Sequence, residues 1–171
     1  LFAEPRASFR YTFSGTSELN FSSGYNHSAG DILDLLAVTV RSSYRSTSAA
    51  SGVIGKSQQW NSKLGYKFQH PFRYFSLDAN AAWTQGKRNV LASQTVSGKS
   101  VLNSNIFHEC HFQSASGSFS LSKNILPITT KLTFSAGGDL GSSESMSQNV
   151  FVTTYTTGYN GELRAVVTPV T

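Results

Sequence analysis

The stretch LGYKFQHPFRYFSLDANAAW, from Leu64 to Trp83, alternates between apolar and polar residues on both sides of a single proline. The apolar positions are Leu64, Tyr66 and Phe68 before it, and Phe75, Leu77, Ala79, Ala81 and Trp83 after it. Successive side chains of a strand point to opposite faces, so each half predicts a half-apolar strand. Because Pro71 cannot continue a ladder and the segment QHPFR is short, the stretch predicts a β-hairpin.

The same alternation recurs along the chain and predicts an all-β fold with about seven long strands. It places Phe9, Phe21, Leu64, Leu77, Phe134 and Tyr155 on an apolar face, and Lys63, Asp78 and Lys131 on a polar one. We expect neighbouring strands to pair in antiparallel fashion, as a β-meander, because short turns require that pairing. The segment DILDLLAV, at 31–38, is predicted to be a loop.

The composition excludes several classes of function. Only 13% of the 171 residues are charged, against about 25% in ordinary soluble domains. The net charge is +5, but the basic residues are scattered, so we expect no nucleic-acid partner. One cysteine rules out an internal disulfide. No run approaches the ~18–20 apolar residues of a membrane helix, and no catalytic or phosphate-binding motif is present, so we expect neither an enzyme nor a cofactor.

The predicted connections alternate between short and long. The segments 14–17, 69–73 and 124–129 are short, whereas 29–57 and 85–109 are long, polar and rich in Ser, Gly, Lys and Arg. The polar segment 141–149 is intermediate in length. Short turns on one side and long loops on the other are typical of a transmembrane β-barrel. A soluble β-sandwich gives no reason for such a regular asymmetry.

Aromatic residues lie where a membrane boundary would fall. Eight steps separate Trp60 from Phe68, which is roughly 26 Å along a strand and about 20 Å of height at a tilt near 40°. We predict one interfacial rim near the short turn and a second one at the tryptophans. The first contains Tyr66, Phe68, Phe72 and Phe75, and the second contains Trp60 and Trp83. The alternative is a soluble β-sandwich or calycin-like module that binds a glycan or a lipid through these aromatics.

Three groups of polar residues are candidates for a site. The basic residues Arg41, Arg45, Lys87 and Arg88 fall in the long segments, where they either bind an anionic ligand or keep the loops soluble. The segment HECH, His108 to His111, has metal-ligand chemistry, but a strand would divide its side chains between two faces. Asp31 and Asp34 near His27 indicate a solvated loop. We therefore predict no metal site.

Three segments resemble the barrel of TonB-dependent outer-membrane receptor-like proteins of the Bacteroidetes type. The first, 18–46, contains Asp34-Leu35 and Tyr44-Arg45-Ser46; the second, 61–83, is a hairpin with an aromatic turn. In the third, 116–145, Ser122-Lys123 precedes a turn and Thr130-Lys131 opens the return strand. Val38 and Ser43 depart from the family pattern, in which Gly and Asn are commoner.

The resemblance implies a location in the bacterial outer membrane and a role in nutrient uptake. Residues 1–171 would then form a single β-barrel segment, part of a barrel of about 22 strands. Signal peptide, plug domain and regulatory domain would lie outside this segment. The implied partners are outer-membrane lipid, the plug domain and TonB through the parent protein, and a glycan or other nutrient.

Overall fold

The computed structural model describes residues 3–30, 39–49, 52–125 and 130–167. They form an all-β protein built on one nine-stranded, mixed sheet that does not close on itself within these ranges. The strands are β1 (Arg6–Ser14), β2 (Ser17–Ala29), β3 (Thr39–Arg41), β4 (Ser46–Ala49), β5 (Lys56–His70), β6 (Phe75–Ser97), β7 (Ser100–Ile125), β8 (Thr130–Ser147) and β9 (Val150–Val167). The segment 31–38, predicted to be a loop, lies outside the described residues.

Seven of the nine strands are long, and each of these pairs antiparallel with the next long strand along the chain. The two remaining strands, β3 and β4, form a small antiparallel pair in the connection between β2 and β5. The hairpin predicted from Leu64 to Trp83 is present, with Leu64 opposite Ala81. Period-two sequences therefore form long strands here because each strand finds a partner with the same alternation.

Short connections lie at one end of the long strands, as the sequence predicts. Gly15 and Thr16 join β1 to β2, and a 3₁₀ turn at Pro71–Arg73 joins β5 to β6. In that turn His70 Nδ1 accepts a hydrogen bond from the Arg73 backbone N–H at 3.2 Å, and Tyr74 takes a left-handed conformation with φ 48°. The segment 126–129 of the third predicted turn lies outside the described residues.

The long loop predicted over 85–109 is wrong. These residues continue β6 and β7 as a two-stranded ribbon that ends in the two-residue turn at Gly98 and Lys99. The segment 141–149 likewise continues β8 into β9 through Gln148 and Asn149. Polar residues on both faces hide the apolar alternation in these segments, although the backbone pairing persists.

The prediction of a purely antiparallel sheet is also wrong in two places. Strand β4 runs parallel to β7, and β6 touches β8 in parallel at two residue pairs. A register shift between Arg88 and Val90 separates the two parts of the β6–β7 ribbon. Such a bulge increases the local twist, and beyond it β6 faces the tip of β8 while β7 faces β4.

Few apolar side chains are buried. Among the described residues, Leu91 and Cys110 are the buried hydrophobic ones, and both lie on the β6–β7 ribbon close to the register shift. Asn89, which has no cross-strand partner at the shift, donates from Nδ2 to the Ile54 carbonyl at 3.2 Å. The few buried apolar side chains therefore lie at the register shift, and most large apolar side chains are at least partly exposed.

The β8–β9 turn offers a direct test of the hairpin. Gln148 and Asn149 both have positive φ, at 51° and 63°, and this conformation is unfavourable for residues other than Gly, Asn and Asp. We expect the double substitution Gln148→Asn and Asn149→Gly to raise the free energy of unfolding by about 1 kcal/mol. Equilibrium denaturation measures the change. An unchanged or lower stability would contradict the turn.

Candidate functional site

One face of the seven long strands forms continuous cross-strand rows. In the middle row Phe9 opposes Phe21, and Phe21 opposes Leu64. Five such rows, two residues apart along each strand, contain no Asp, Glu, Lys, Arg or His among the described residues. The larger side chains of this apolar face are Tyr11, Leu19, Tyr25, Trp60, Tyr66, Phe68, Leu77, Trp83, Phe119, Leu121, Phe134, Leu140, Tyr155, Tyr159 and Leu163, together with the three of the middle row.

Charged residues and histidines bound these five rows on both sides. The next row toward the short turns holds His70, Phe75 and Lys123. The next row in the other direction holds His27, Lys87 and His111. The five rows span eight residue steps, which is about 26 Å along the strands. The apolar face is thus a band of defined height.

The predicted aromatics lie on this face or at its edges. Trp60 and Trp83 occupy adjacent rows near one edge, and Trp60 Nε1 donates to Ser62 Oγ at 3.1 Å. At the other edge the rings of Phe68 and Phe75 meet with centroids 6.0 Å apart. Tyr66 lies one row further in. Phe72 lies in the 3₁₀ turn and is 90% exposed. These aromatics therefore lie toward the two edges of the apolar face, and their role at a membrane interface stays a prediction.

The opposite face carries charge at nearly every level. Arg10 Nε lies 3.2 Å from Glu18 Oε1, and Lys67 Nζ lies 3.8 Å from Asp78 Oδ1. The charged residues of this polar face are Arg6, Arg10, Glu18, Lys63, Lys67, Asp78, Lys131, Asp139, Glu162 and Arg164. The predicted assignments of Lys63, Asp78 and Lys131 to this face are confirmed by the register.

Two grooves run along the polar face. The first, of about 570 Å³, crosses β1, β2, β5, β6 and β7 and is lined by Arg10, Asn20, Lys63, Asn80 and several serines. The second, of about 750 Å³, lies beside it and is lined by Arg6, Asn61 and Lys63 among others. Small residues on these strands leave the space, so the polar face presents concavities lined by hydroxyl, amide and basic groups.

The four basic residues predicted to bind a ligand are not brought together. Lys87 and Arg88 were predicted in a loop and instead lie in β6, where neighbouring residues point to opposite faces. Arg41 ends β3, and its Nη2 donates to the Tyr44 carbonyl at 2.8 Å. The carbonyl of Arg45 accepts from the Val101 N–H at 2.7 Å. Three of the four side chains make contacts within the chain, and their ligand-binding role stays a prediction.

Arg88 belongs to a stack that the sequence does not indicate. Its guanidinium carbon lies 4.7 Å from the centroid of the Phe112 ring, and that ring lies directly over Gly86. A Cβ at Gly86 would lie 2.5 Å from the Gln58 carbonyl oxygen and would overlap the ring. Gly86 is thus the place where an aromatic side chain reaches the backbone of the sheet.

The HECH segment lies within β7, where its side chains have separate contacts. The His108 ring packs against Phe151, with centroids 4.7 Å apart, while Glu109 Oε1 accepts from Lys87 Nζ at 3.1 Å. Burial raises the pKa of the Cys110 thiol, whose sulfur contacts the Val90 carbonyl oxygen at 3.6 Å. In the described ranges no three His, Cys, Asp or Glu residues are grouped as metal ligands.

Comparison of the chain with protein-family models, with curated proteins and with solved structures finds no match in any of the three. The part of the chain that the structure describes contains no helix with the length and hydropathy needed to span a membrane.

The stack at Gly86 predicts a specific loss of stability. We expect Gly86→Ala to lower the free energy of unfolding by about 1–3 kcal/mol, because the new methyl group overpacks against Phe112 and a backbone oxygen. The matched control is Gly117→Ala, whose Cβ would meet only the Asn80 carbonyl oxygen at 3.9 Å. Equal denaturation midpoints for both variants would contradict the packing.

The ion pair beyond the apolar band predicts a titration shift. The hydrogen bond that Glu109 accepts from Lys87 holds the pKa of the Glu109 carboxyl below its ordinary value. The pair's contribution is therefore present above the unfolded-state pKa and is lost as the pH falls through the lowered folded-state pKa. We expect Lys87→Met to raise the pKa of Glu109, measured by NMR titration, and Lys99→Met to leave it unchanged. A pKa that does not respond to Lys87→Met would exclude the pair in solution.

Proposed function

We propose that this chain forms part of the wall of an outer-membrane β-barrel, with the apolar face toward lipid and the polar face toward an aqueous lumen. The observation that carries the proposal is the set of five consecutive rows without a charged residue or histidine, bounded on both sides by rows that contain them. At a tilt near 40° the rows span about 20 Å, close to the ~25 Å apolar band of outer-membrane barrels.

The placement of the aromatics supports the same orientation. Indole and phenol groups favour the membrane–water boundary because their rings are apolar and their N–H and O–H groups are polar. Tyr25, Trp60 and Tyr155 share the last row before the histidines. Phe68 and Phe75 lie at the opposite edge, next to the turn at Pro71–Arg73.

The extension of the strands beyond one edge of the band supports a direction across the membrane. About 9–11 residues of a tilted strand cross a bilayer, yet β6 and β7 have 23 and 26 residues. Their excess lies beyond the Trp60 edge, where the β3–β4 pair and the β8–β9 tip also lie. The turns at the Phe68 edge are short. This asymmetry matches barrels with short periplasmic turns and long extracellular loops.

The resemblance to TonB-dependent receptor-like proteins supports a role in nutrient uptake. The barrel would take up a nutrient such as a glycan, its plug domain would close the lumen, and TonB would drive the opening. The described strands would be a strip of the wall and would contain no catalytic group. Strands that pair with the free edges of β1 and β9 would complete the barrel, since lipid tolerates no unpaired backbone edge.

The soluble alternative requires a cover for the apolar face. A β-sandwich buries its apolar face under a second sheet. The described strands all belong to one sheet, and Tyr159 and Leu163 on its apolar face are 91% and 76% exposed. If the membrane proposal is wrong, the alternative is a soluble module that binds a glycan or a lipid. The following experiment would reveal it as a compact monomer in the absence of detergent.

Neighbouring residues on β2 give the matched test. Phe21 lies in the middle row of the apolar face, and Ser22 points to the polar face. We expect Phe21→Arg to cost about 2–4 kcal/mol in the membrane and Ser22→Arg to cost little. The readout is the amount of protein assembled in the outer-membrane fraction of producing cells. Equal assembly of the two variants, or a compact monomer without detergent, would overturn the proposal.

A further inference from the structure

Strand β5 carries two lysines on the polar face, Lys63 and Lys67, and their cross-strand neighbours differ. Lys67 lies between Glu18 and Asp78 on the adjacent strands and pairs with Asp78. Lys63 lies between Ser22 and Ala82 in the same two strands. The positions before and after it on the polar face of β5 are Asn61 and Gly65. Its ammonium group therefore has no neighbouring carboxylate among the described residues.

The nearest acids are directed to other partners. Glu18 lies 3.2 Å from Arg10, and Asp78 lies within 4 Å of Lys67. Asp139 shares the row of Lys63, but three strand spacings separate them, which is about 14 Å. The Asp139 carboxylate lies over Gly158, on the side away from β7. Lys63 is thus left without a compensating carboxylate in the part of the chain that the structure describes.

Lys63 also borders both grooves of the polar face. Among the described residues, only Ser8, Ser22 and Lys63 line both grooves, and neither groove is lined by an Asp or Glu of these ranges. Hydroxyl and amide groups of Ser22, Asn80 and Ser116 border the first groove next to the lysine. A cation in a groove concentrates counter-ions, and lysine binds phosphate and carboxylate groups as a point charge.

We propose that the groove at Lys63 is a binding site for the oxyanion group, carboxylate or phosphate, of a hydrophilic solute. Lys63 neutralises the anion, and the surrounding serine and asparagine side chains donate hydrogen bonds to its oxygens and to the hydroxyl groups of the solute. The site rests on the proposed function in one respect, since it assigns an anionic solute class to the face that would line the lumen.

The experiment uses the protein as purified from producing cells, in detergent micelles if it assembles in the membrane and in buffer if it does not, with its lysines labelled by ¹³C-dimethylation, which keeps their charge. Inorganic phosphate, D-glucuronate and neutral D-glucose are titrated in separate experiments. We expect phosphate or glucuronate to shift the Lys63 signal and to leave the Lys131 signal unchanged, and D-glucose to shift neither. A response to phosphate alone or to glucuronate alone would identify the oxyanion. Equal shifts at both lysines, or none, would overturn the site.

Variants separate the site from general charge effects. We expect Lys63→Gln to weaken binding of the oxyanion, followed by calorimetry, by at least about ten-fold, and Lys63→Arg to retain it. Ala82→Asp places a carboxylate directly opposite Lys63 and should abolish binding, whereas Ala82→Asn should not. Lys131→Gln removes a charge from the same face outside both grooves and serves as the control. Equal affinities for Lys63→Gln and Lys131→Gln would overturn the site.

The membrane proposal is tested independently by assembly of Phe21→Arg and Ser22→Arg. Normal membrane assembly without anion binding would remove the site and keep the barrel. Anion binding by a protein that never enters membranes would keep the site and remove the barrel.

Discussion

The structure depends on one constraint: seven long strands keep their alternation in step across the sheet. The side-chain period of a strand is two, so a slip of one residue at any pairing would exchange the two faces of every strand beyond it. A slip of one residue between β5 and β6 would place Asp78 in line with Phe68 and Ala79 in line with Lys67. Because the apolar and polar faces are so different, such a slip would expose charge on one side and aromatic rings on the other.

This constraint explains how much the sequence reveals. In the band, the alternation of Leu64, Tyr66 and Phe68 is strong because one face carries no charged residue, so the strands and their two faces were predictable. Beyond the band both faces are polar, and the segment around Lys87 and Arg88 reads as a loop although the ladder continues. Gly98 was the local sign of a hairpin in the sequence, because two-residue hairpin turns need a residue with positive φ. In the structure Gly98 has a φ of 58°.

The site at Lys63 could not be predicted from the sequence, because it depends on what lies across the strands. Lys63 and Lys67 look equivalent along the chain, four residues apart on the same face. The register gives Lys67 two carboxylates and Lys63 a serine and an alanine. The same holds for Phe112, whose ring finds space only because Gly86 lies opposite it. The register of the strands decides which residue lies opposite another, and a single sequence does not specify that register.

The parallel pairings were missed for a related reason. They form only beyond the register shift between Arg88 and Val90, where the Asn89 side chain bonds to Ile54 and to the backbone of Lys56 at the start of β5. A bulge rotates a ribbon, so the two edges of the ribbon face different neighbours on either side of the shift. Neither β4 nor the tip of β8 carries a pattern that identifies β7 or β6 as its partner.

The edges of the sheet connect the fold to its surroundings. Strand β9 is 18 residues long and exposed along almost its whole length, and Glu162 and Arg164 are its only charged residues. Soluble proteins protect such edges with prolines, bulges or inward-pointing charges, none of which interrupts the pairing of β8 with β9. An edge without protection is suited to a further strand. In the proposed orientation lipid covers one face of the sheet, and the outer backbone edge of β9, which pairs with no further strand in the described part of the chain, runs through the apolar band. A lipid environment would accommodate the apolar band, and in lipid the backbone at the edge of β9 has to be paired.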